Sequence, residues 1–171
     1  MAEFSVRTAG LVSAPADVVW HQLVDRDSVS GWLEGIDRLT GSGRRFATRR
    51  ANSPGSAPIE GRVLELEPGA RVRLVLSAPW RLLREIELEI RLAPEGPATR
   101  VDVHAVHRLR RGAWLLLPFL RLRAEVALLR AIRGFRAAVE DEVARLRRLR
   151  RDQVEEPVAR PAQHLFLTLL D

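Results

Sequence analysis

The sequence predicts an α+β domain in which a curved antiparallel sheet of six to seven strands wraps around one long C-terminal helix, with two short helices after the first strand. Two patterns carry this prediction. Apolar and polar residues alternate with period two in successive segments up to residue 109, as in antiparallel strands with one wet and one covered face. From residue 118 to residue 151, apolar residues recur every three or four positions, as in a helix that packs on one side.

The chain opens with a strand and a helix. Residues 4–12 alternate loosely and predict the first strand. In the following segment, SAPADVVWHQLVD, Pro15 suits a first helical turn because its missing N–H is no loss there, and Asp17 favours the positive end of the helix. A second short helix or turn is predicted over SVSGWLEGI, where Trp32 and Leu33 are the apolar anchors.

A meander of strands follows. The segment IDRLTGSGRRFATRRA predicts two strands joined by a turn at Gly41. The next strand, IEGRVLELE, loses its alternation between Gly61 and Leu64, which indicates a bulge or bend. After a further strand, RVRLVLSAP, the segments REIELEIRL and TRVDVHAVHRL alternate cleanly. We expect the glutamates of REIELEIRL to form a solvated face of the sheet.

The last predicted element is a helix of about 30 residues with an arginine-rich outer face, which Pro118 begins. Its apolar stripe comprises Leu128, Ile132, Phe135, Val139, Val143, Leu146 and Leu149. The chain is therefore predicted to hold one domain over residues 1–151. Residues 152–171 are predicted to form a polar, proline-bearing linker and an apolar tail, HLFLTLLD.

Composition narrows the class of function. The chain of 171 residues contains no cysteine, which excludes disulfides, thiolate metal sites and thiol nucleophiles. All 28 basic residues are arginines, and the formal net charge is +6. Because acidic residues are interspersed among them, we do not expect nucleic-acid binding. The first residues show neither a signal peptide nor a lipidation motif, so we expect a soluble, cytoplasmic protein.

Two segments resemble a known family. In LVSAPADVVWHQLVDRDSVSGWLEGI, a strand runs into Ala-Pro, a Val-Trp helix, an aspartate and a later tryptophan; these positions are Val12, Ala14, Pro15, Val19, Trp20, Leu23, Asp25 and Trp32. The segment IEGRVLELEPGARVRL is similar to the family's central strand, Pro-Gly turn and next strand. Over about residues 3–149 the chain thus resembles the polyketide cyclase/dehydrase and lipid-transport family of the START-like (SRPBCC) superfamily.

The resemblance implies the helix-grip fold, in which a curved antiparallel sheet wraps the last helix. It also implies an elongated apolar cavity between the sheet and that helix. Members of the family bind lipids, hormones or polyketides there, and a minority catalyse cyclisation, aromatisation or dehydration.

We therefore expect a monomer or homodimer that binds or carries a lipid- or polyketide-like molecule without a cofactor. The alternative is a polyketide cyclase- or dehydratase-type enzyme, a lyase or isomerase, that acts on a ligand in the same cavity. The candidate ligand-binding residues are Trp32, Phe46, Trp80, Ile86, Leu88, Ile90, Val103, His107, Trp114, Leu128, Ile132 and Phe135.

Residues suited to catalysis are few. The chain has no cysteine, lysine or tyrosine, which removes thiol, Schiff-base and phenol chemistry. The resemblance implies that a cyclase would place arginine, tyrosine and other polar groups in its pocket, so the absence of tyrosine counts against that activity. His107 lies on the apolar side of its strand and is a candidate acid or base; the alternative is a hydrogen-bonded structural histidine. Arg50 could bind a carboxylate or polarise a carbonyl, or be an arginine at a strand end that reaches water. His104 and His107 point to opposite faces, so we predict no metal site.

The segment RGAWLLLPFLRLR lies between the last strand and the long helix. Its apolar run, residues 113–120, is far too short to span a bilayer. We expect Trp114 to Phe119 to form a rim or lid at one end of the cavity, exposed enough to meet a membrane, transiently, or a partner. A third hypothesis is a membrane- or nucleic-acid-associated module that uses the arginine-rich helix face, and such binding should weaken steeply as salt rises.

Overall fold

The computed structural model describes residues 2–25, 40–41, 44–48, 58–77 and 82–154. Its strands are β1 (Glu3–Val12), β2 (Arg45–Thr48), β3 (Ile59–Glu67), β4 (Arg71–Ser77), β5 (Leu83–Glu95) and β6 (Ala98–Leu109). Its helices are α1 (Ala16–Val24) and α2 (Leu117–Val154), the latter preceded by a 3₁₀ turn (Ala113–Leu116). The strands form one curved antiparallel sheet in the order β1-β6-β5-β4-β3-β2, and the predicted helix-grip architecture is confirmed.

Helix α1 forms where the sequence predicts it. Pro15 caps its N-terminus with an extended backbone, φ −62° and ψ 153°, and Asp17 lies in the first turn. The hydroxyl of Thr99, which is fully buried on β6, donates a hydrogen bond of 2.8 Å to the carbonyl of Ala14. This bond fixes the start of α1 against the sheet. The predicted second short helix lies in residues 26–39, outside the described residues.

The predicted irregularity in β3 is confirmed. The register between β3 and β4 shifts between Val63 and Glu65. Gly61, just before the shift, pairs with Phe46 of β2, and the Phe46 ring occupies the place that a Gly61 side chain would take. Of the two strands predicted around Gly41, the structure describes β2 and a single bridge from Thr40 to Ala47.

The outer face of the sheet carries ion pairs between neighbouring strands, whereas the sequence predicted a merely solvated row of glutamates. Arg73 of β4 donates to Glu87 of β5 at 2.6 Å, and Arg108 of β6 contacts Glu87 from the other side at 3.5 Å. A hydrogen bond from Arg91 is the main reason why the pKa of Glu89 lies below its ordinary value. Alternation placed these residues on one face, but the strand register is what pairs them.

Helix α2 begins at Leu117, so Pro118 lies in its first turn as predicted. The helix ends at Val154, and residues 152–154 therefore extend it instead of opening the linker. Its principal packing is against β1, where an ideal Cβ on Gly10 would lie 2.7 Å from the Cγ2 atom of Ile132. The tail, residues 155–171, lies outside the described residues. Neither α1 nor α2 combines the length and the apolar character that crossing a bilayer requires.

Candidate functional site

The sheet presents its apolar side chains on one inner face, the side on which α2 packs. The register aligns these residues in rows that cross the strands. One row comprises Phe4, His107, Ile86, Leu76, Gly61 and Phe46. The next row comprises Val6, Ala105, Leu88, Leu74 and Val63. The inner face is therefore a continuous apolar surface, and the candidate site is the part of it that the core leaves unfilled.

Two buried clusters close part of this face. The first joins α1, α2 and the sheet through Val12, Ala14, Val19, Ile90, Leu92, Val101, Val103, Phe135 and Val139. The second lies where β1 and β6 meet the 3₁₀ turn, and comprises Phe4, Val6, Leu109 and Ala113. Side chains in these clusters are 8% exposed or less, so they contact one another rather than a free space.

The remaining inner face, from β2 to β5, is apolar but less covered. Six of its side chains are half-buried and belong to neither buried cluster, although Leu88 packs against the first one, whereas Thr48, Ile59 and Val72 are buried. We call this set the inner apolar surface: Phe46, Val63, Leu74, Leu76, Ile86 and Leu88. Half-buried leucine and isoleucine side chains retain apolar area that a ligand could remove from water.

His107 borders the inner apolar surface. It is 7% exposed, pairs with Ile86 across the strands, and stacks on Phe4 with ring centroids 4.6 Å apart. Burial lowers the pKa of His107, while a backbone hydrogen bond to Ala105 opposes that shift. Its Nδ1 atom is buried and has no hydrogen-bond partner among the residues that the structure describes. A ligand could accept or donate a hydrogen bond at this nitrogen only if the side chains that bury it move aside.

The structure brings together some of the residues predicted to bind a ligand. Phe46, Ile86, Leu88 and His107 lie on or beside the inner apolar surface. Three others, Ile90, Val103 and Phe135, lie in the first buried cluster. Two helix residues pack against the clusters, Leu128 against both and Ile132 against the first. A contact between these core residues and a ligand stays a prediction.

The other predicted site residues lie apart from this surface or outside the described residues. Trp114 is 61% exposed on the 3₁₀ turn, and its role as a rim stays a prediction. Trp32, Trp80 and Arg50 fall in residues 26–39, 78–81 and 49–57, which the structure does not describe.

Sequence reasoning missed three members of the surface, Val63, Leu74 and Leu76. The signal for the two leucines was present, because RVRLVLS alternates and places Val72, Leu74 and Leu76 on one face. The register adds that this face adjoins the inner face of β5. Val63 could not be assigned from alternation, because the bulge that follows it reverses which residues of β3 face inward.

Replacing His107 with phenylalanine should remove a pH dependence of stability. The pKa of His107 in the folded protein is lowered from 6.5, so the unfolded chain binds more protons than the folded one at a pH just below 6.5. The free energy of unfolding is therefore highest above pH 6.5 and decreases as the pH drops through that value. Phenylalanine keeps a ring against Phe4 and leaves no unsatisfied nitrogen. The free energy of unfolding of the variant should therefore be higher by up to ~1 kcal/mol above pH 6.5, and it should no longer decrease as the pH drops below that value. Urea unfolding on both sides of pH 6.5 measures this. An unchanged pH slope in the variant would show that His107 is not its origin.

Other concave or charged parts of the described chain lie away from this surface. No group of three or more histidine, aspartate or glutamate side chains is placed to hold a metal ion in the described part of the chain. One depression lies on the outer face of the sheet among polar residues that include Arg7, Glu89 and His104. Another lies between α1 and the end of α2, lined by Val18, Leu146 and several arginines. Neither is lined by a residue of the inner apolar surface.

Comparison with known proteins agrees with this geometry. Residues 3–149 match the family model described as polyketide cyclase / dehydrase and lipid transport. No curated protein sequence matches the chain significantly.

Solved structures share the fold at low sequence identity. TTHA0849 from Thermus thermophilus is 18% identical with a TM-score of 0.64, covering 81% of this chain and 99% of its own. The di-domain ARO/CYC StfQ from the steffimycin biosynthetic pathway is 14% identical with a TM-score of 0.68, covering 83% of this chain and 52% of its own. Ara h 8.0201 is 12% identical with a TM-score of 0.66, covering 84% of this chain and 99% of its own.

Proposed function

The chain belongs to the polyketide cyclase / dehydrase and lipid transport family, and we propose that it binds or carries a hydrophobic, lipid- or polyketide-like small molecule on its inner apolar surface. The observation that carries the proposal is the unequal filling of the inner face. The side chains of the two clusters are enclosed, whereas the six that form the inner apolar surface, on β2 to β5, are half-buried. The proposed cavity lies over this second part.

The chemistry of the surface limits the class of ligand. The surface consists of aliphatic and aromatic side chains, so its affinity would come from apolar area removed from water, at ~25 cal/mol per Å². His107 is the polar side chain at its border, and its Nδ1 atom, although buried, has no hydrogen-bond partner within the described part of the chain. A mainly apolar molecule with one polar group near one end matches this arrangement.

The proposal covers binding and not a reaction. Its partners are the ligand and, transiently, the membrane where such a ligand is collected or released. Among the two predicted catalytic candidates, His107 borders the surface, whereas Arg50 lies outside the described residues. Since burial favours the neutral imidazole, His107 is better suited to a hydrogen bond than to proton donation.

Native mass spectrometry of the purified full-length chain tests the proposal. We expect a bound mass of a few hundred daltons or more that disappears after organic extraction, with the hydrophobe recovered in the extract. The extracted protein should then take up a long-chain fatty acid at one molecule per chain. A chain that is empty as purified and fails to bind the fatty acid or an aromatic polyketide would contradict the proposed function.

A further inference from the structure

The first half of α2 is apolar on two opposite sides. On the inner side, Leu117, Leu120 and Leu128 pack against the second buried cluster. On the opposite side lies a second row of large apolar residues that the protein leaves in water. We call it the exposed stripe: Leu115, Phe119, Leu122, Val126 and Leu129, exposed by 69%, 57%, 59%, 40% and 45%.

The spacing of the exposed stripe shows that it is one surface. Its members are separated by four, three, four and three residues, which places them on a single helical face. Trp114 and Leu116, exposed by 61% and 46%, adjoin its first member. Scattered exposed leucines are ordinary in a monomer, but a contiguous row of large apolar side chains marks a contact surface.

Arginines surround this stripe. Residues 110–133 contain six arginines and one acidic residue, Glu125. That glutamate is already paired, because Arg121 donates a hydrogen bond of 3.1 Å to it. Arg123 lies over the Phe119 ring at 5.8 Å, and Arg133 follows Leu129 at the next position of the same face. The surface therefore combines an apolar centre with a strongly basic border.

We propose that the exposed stripe and its arginine border form a docking surface for an anionic phospholipid membrane. Leucine and phenylalanine side chains would enter the boundary between headgroups and acyl chains, while the arginines would contact lipid phosphates. The role of this contact in ligand exchange rests on the proposed function, but the surface is defined by exposure and charge alone.

Two other occupants fit the surface less well. A second copy of the chain would bring one arginine border against another, and the single glutamate is already neutralised by its own helix. A nucleic acid would satisfy the arginines but leave the row of leucines in water. An anionic bilayer offers negative charge and an apolar interior at adjacent depths, which matches both components.

Vesicle co-sedimentation of the full-length chain tests the inference. The probes are vesicles of phosphatidylcholine with added phosphatidylglycerol, and vesicles of phosphatidylcholine alone. We expect preferential binding to the anionic vesicles, which weakens as salt screens the charges. The double variant Phe119→Gln/Leu122→Gln should reduce the partition coefficient by about tenfold or more, since two buried apolar side chains are lost.

Leu149→Gln is the matched control. Leu149 lies near the other end of the same helix, is 50% exposed, and is also surrounded by arginines, but it does not belong to the exposed stripe. Its variant should retain binding within about twofold. Equal losses in both variants would show that exposed apolar side chains anywhere on α2 contribute alike and would overturn the assignment of the stripe.

Two further outcomes would also overturn the proposal. One is unchanged vesicle binding by the double variant with an intact circular dichroism spectrum. The other is a concentration-dependent dimer in sedimentation velocity that the same double variant abolishes, because the stripe would then be an interface between copies. The proposed function fails separately: a chain that takes up no hydrophobe but still binds anionic vesicles through the stripe contradicts ligand binding and supports docking.

Discussion

Replacing Leu76 with aspartate is expected to weaken the binding of an apolar ligand by about a hundredfold or more. Leu76 lies in the centre of the inner apolar surface, between Ile86 of β5 and Gly61 of β3. A ligand that covers this surface would have to bury the new carboxylate without a partner. Removing a polar group from water in this way costs roughly 2–7 kcal/mol, and a charged group costs more. The expected loss corresponds to ~3 kcal/mol at the low end of that range.

The measurement is a fluorescence titration with anilinonaphthalene sulfonate, an anionic probe with an apolar ring system, whose emission rises when the rings leave water. Leu11→Asp is the matched control, because Leu11 lies on the outer face of β1 and is 49% exposed. Circular dichroism shows whether each variant remains folded. A folded Leu76→Asp protein with the affinity of the unchanged chain would place the ligand elsewhere, and equal losses in both variants would point to non-specific binding.

The alternation of β5 and β6 predicted the inner face from the sequence alone. Val101, Val103, Ala105, His107 and Leu109 all face inward and are buried. Strand periodicity is sufficient to assign each residue to a face here, because one face of the sheet is exposed to water and the other is covered. Polar residues then lie on the first face and apolar residues on the second. The placement of His107 beside the surface followed from this pattern.

The extent of the site could not be predicted in the same way. Periodicity assigns a residue to a face, but it does not say which part of that face the core fills. Ile90 and Ile86 alternate identically in the sequence, yet Ile90 is enclosed in the first buried cluster and Ile86 is half-buried. The difference depends on where α1 and α2 pack, which is a property of the tertiary structure.

Helix α2 shows the same limit. Of the stripe predicted to pack on one side of the helix, Phe135 and Val139 are 4% and 0% exposed, whereas Leu146 and Leu149 at its end are 47% and 50% exposed. The exposed stripe in the first half of the helix was not predicted as a separate face, because both sides are apolar there and periodicity alone cannot choose between them. Leu122, on the side away from the buried clusters, is 59% exposed.

Replacing Gly10 with valine is expected to destabilise the protein by ~2 kcal/mol, although valine is the better strand former. Gly10 lies on the inner face of β1, and its backbone does not have a positive φ, so strand propensity by itself predicts a gain. The obstacle is Ile132, whose Cγ2 atom is 2.7 Å from the position of the new Cβ. Since a β-branched side chain in a helix has one strongly preferred rotamer, Ile132 cannot turn away and α2 must shift.

Urea unfolding measures this loss of stability, provided that the dependence of the unfolding free energy on urea concentration, the m value, is the same in both proteins. A double-mutant cycle identifies its cause. Ala9→Val, at the neighbouring exposed position on the outer face, should change stability by no more than ~0.5 kcal/mol. Ile132→Ala removes the opposing methyl group. In that background the destabilisation by Gly10→Val should be smaller than in the unchanged chain, by ~1 kcal/mol or more. Additive losses would mean that the two side chains do not oppose each other. The close approach of α2 to β1 would then have to depend on other residues, and Gly10 would be present for a reason other than helix packing.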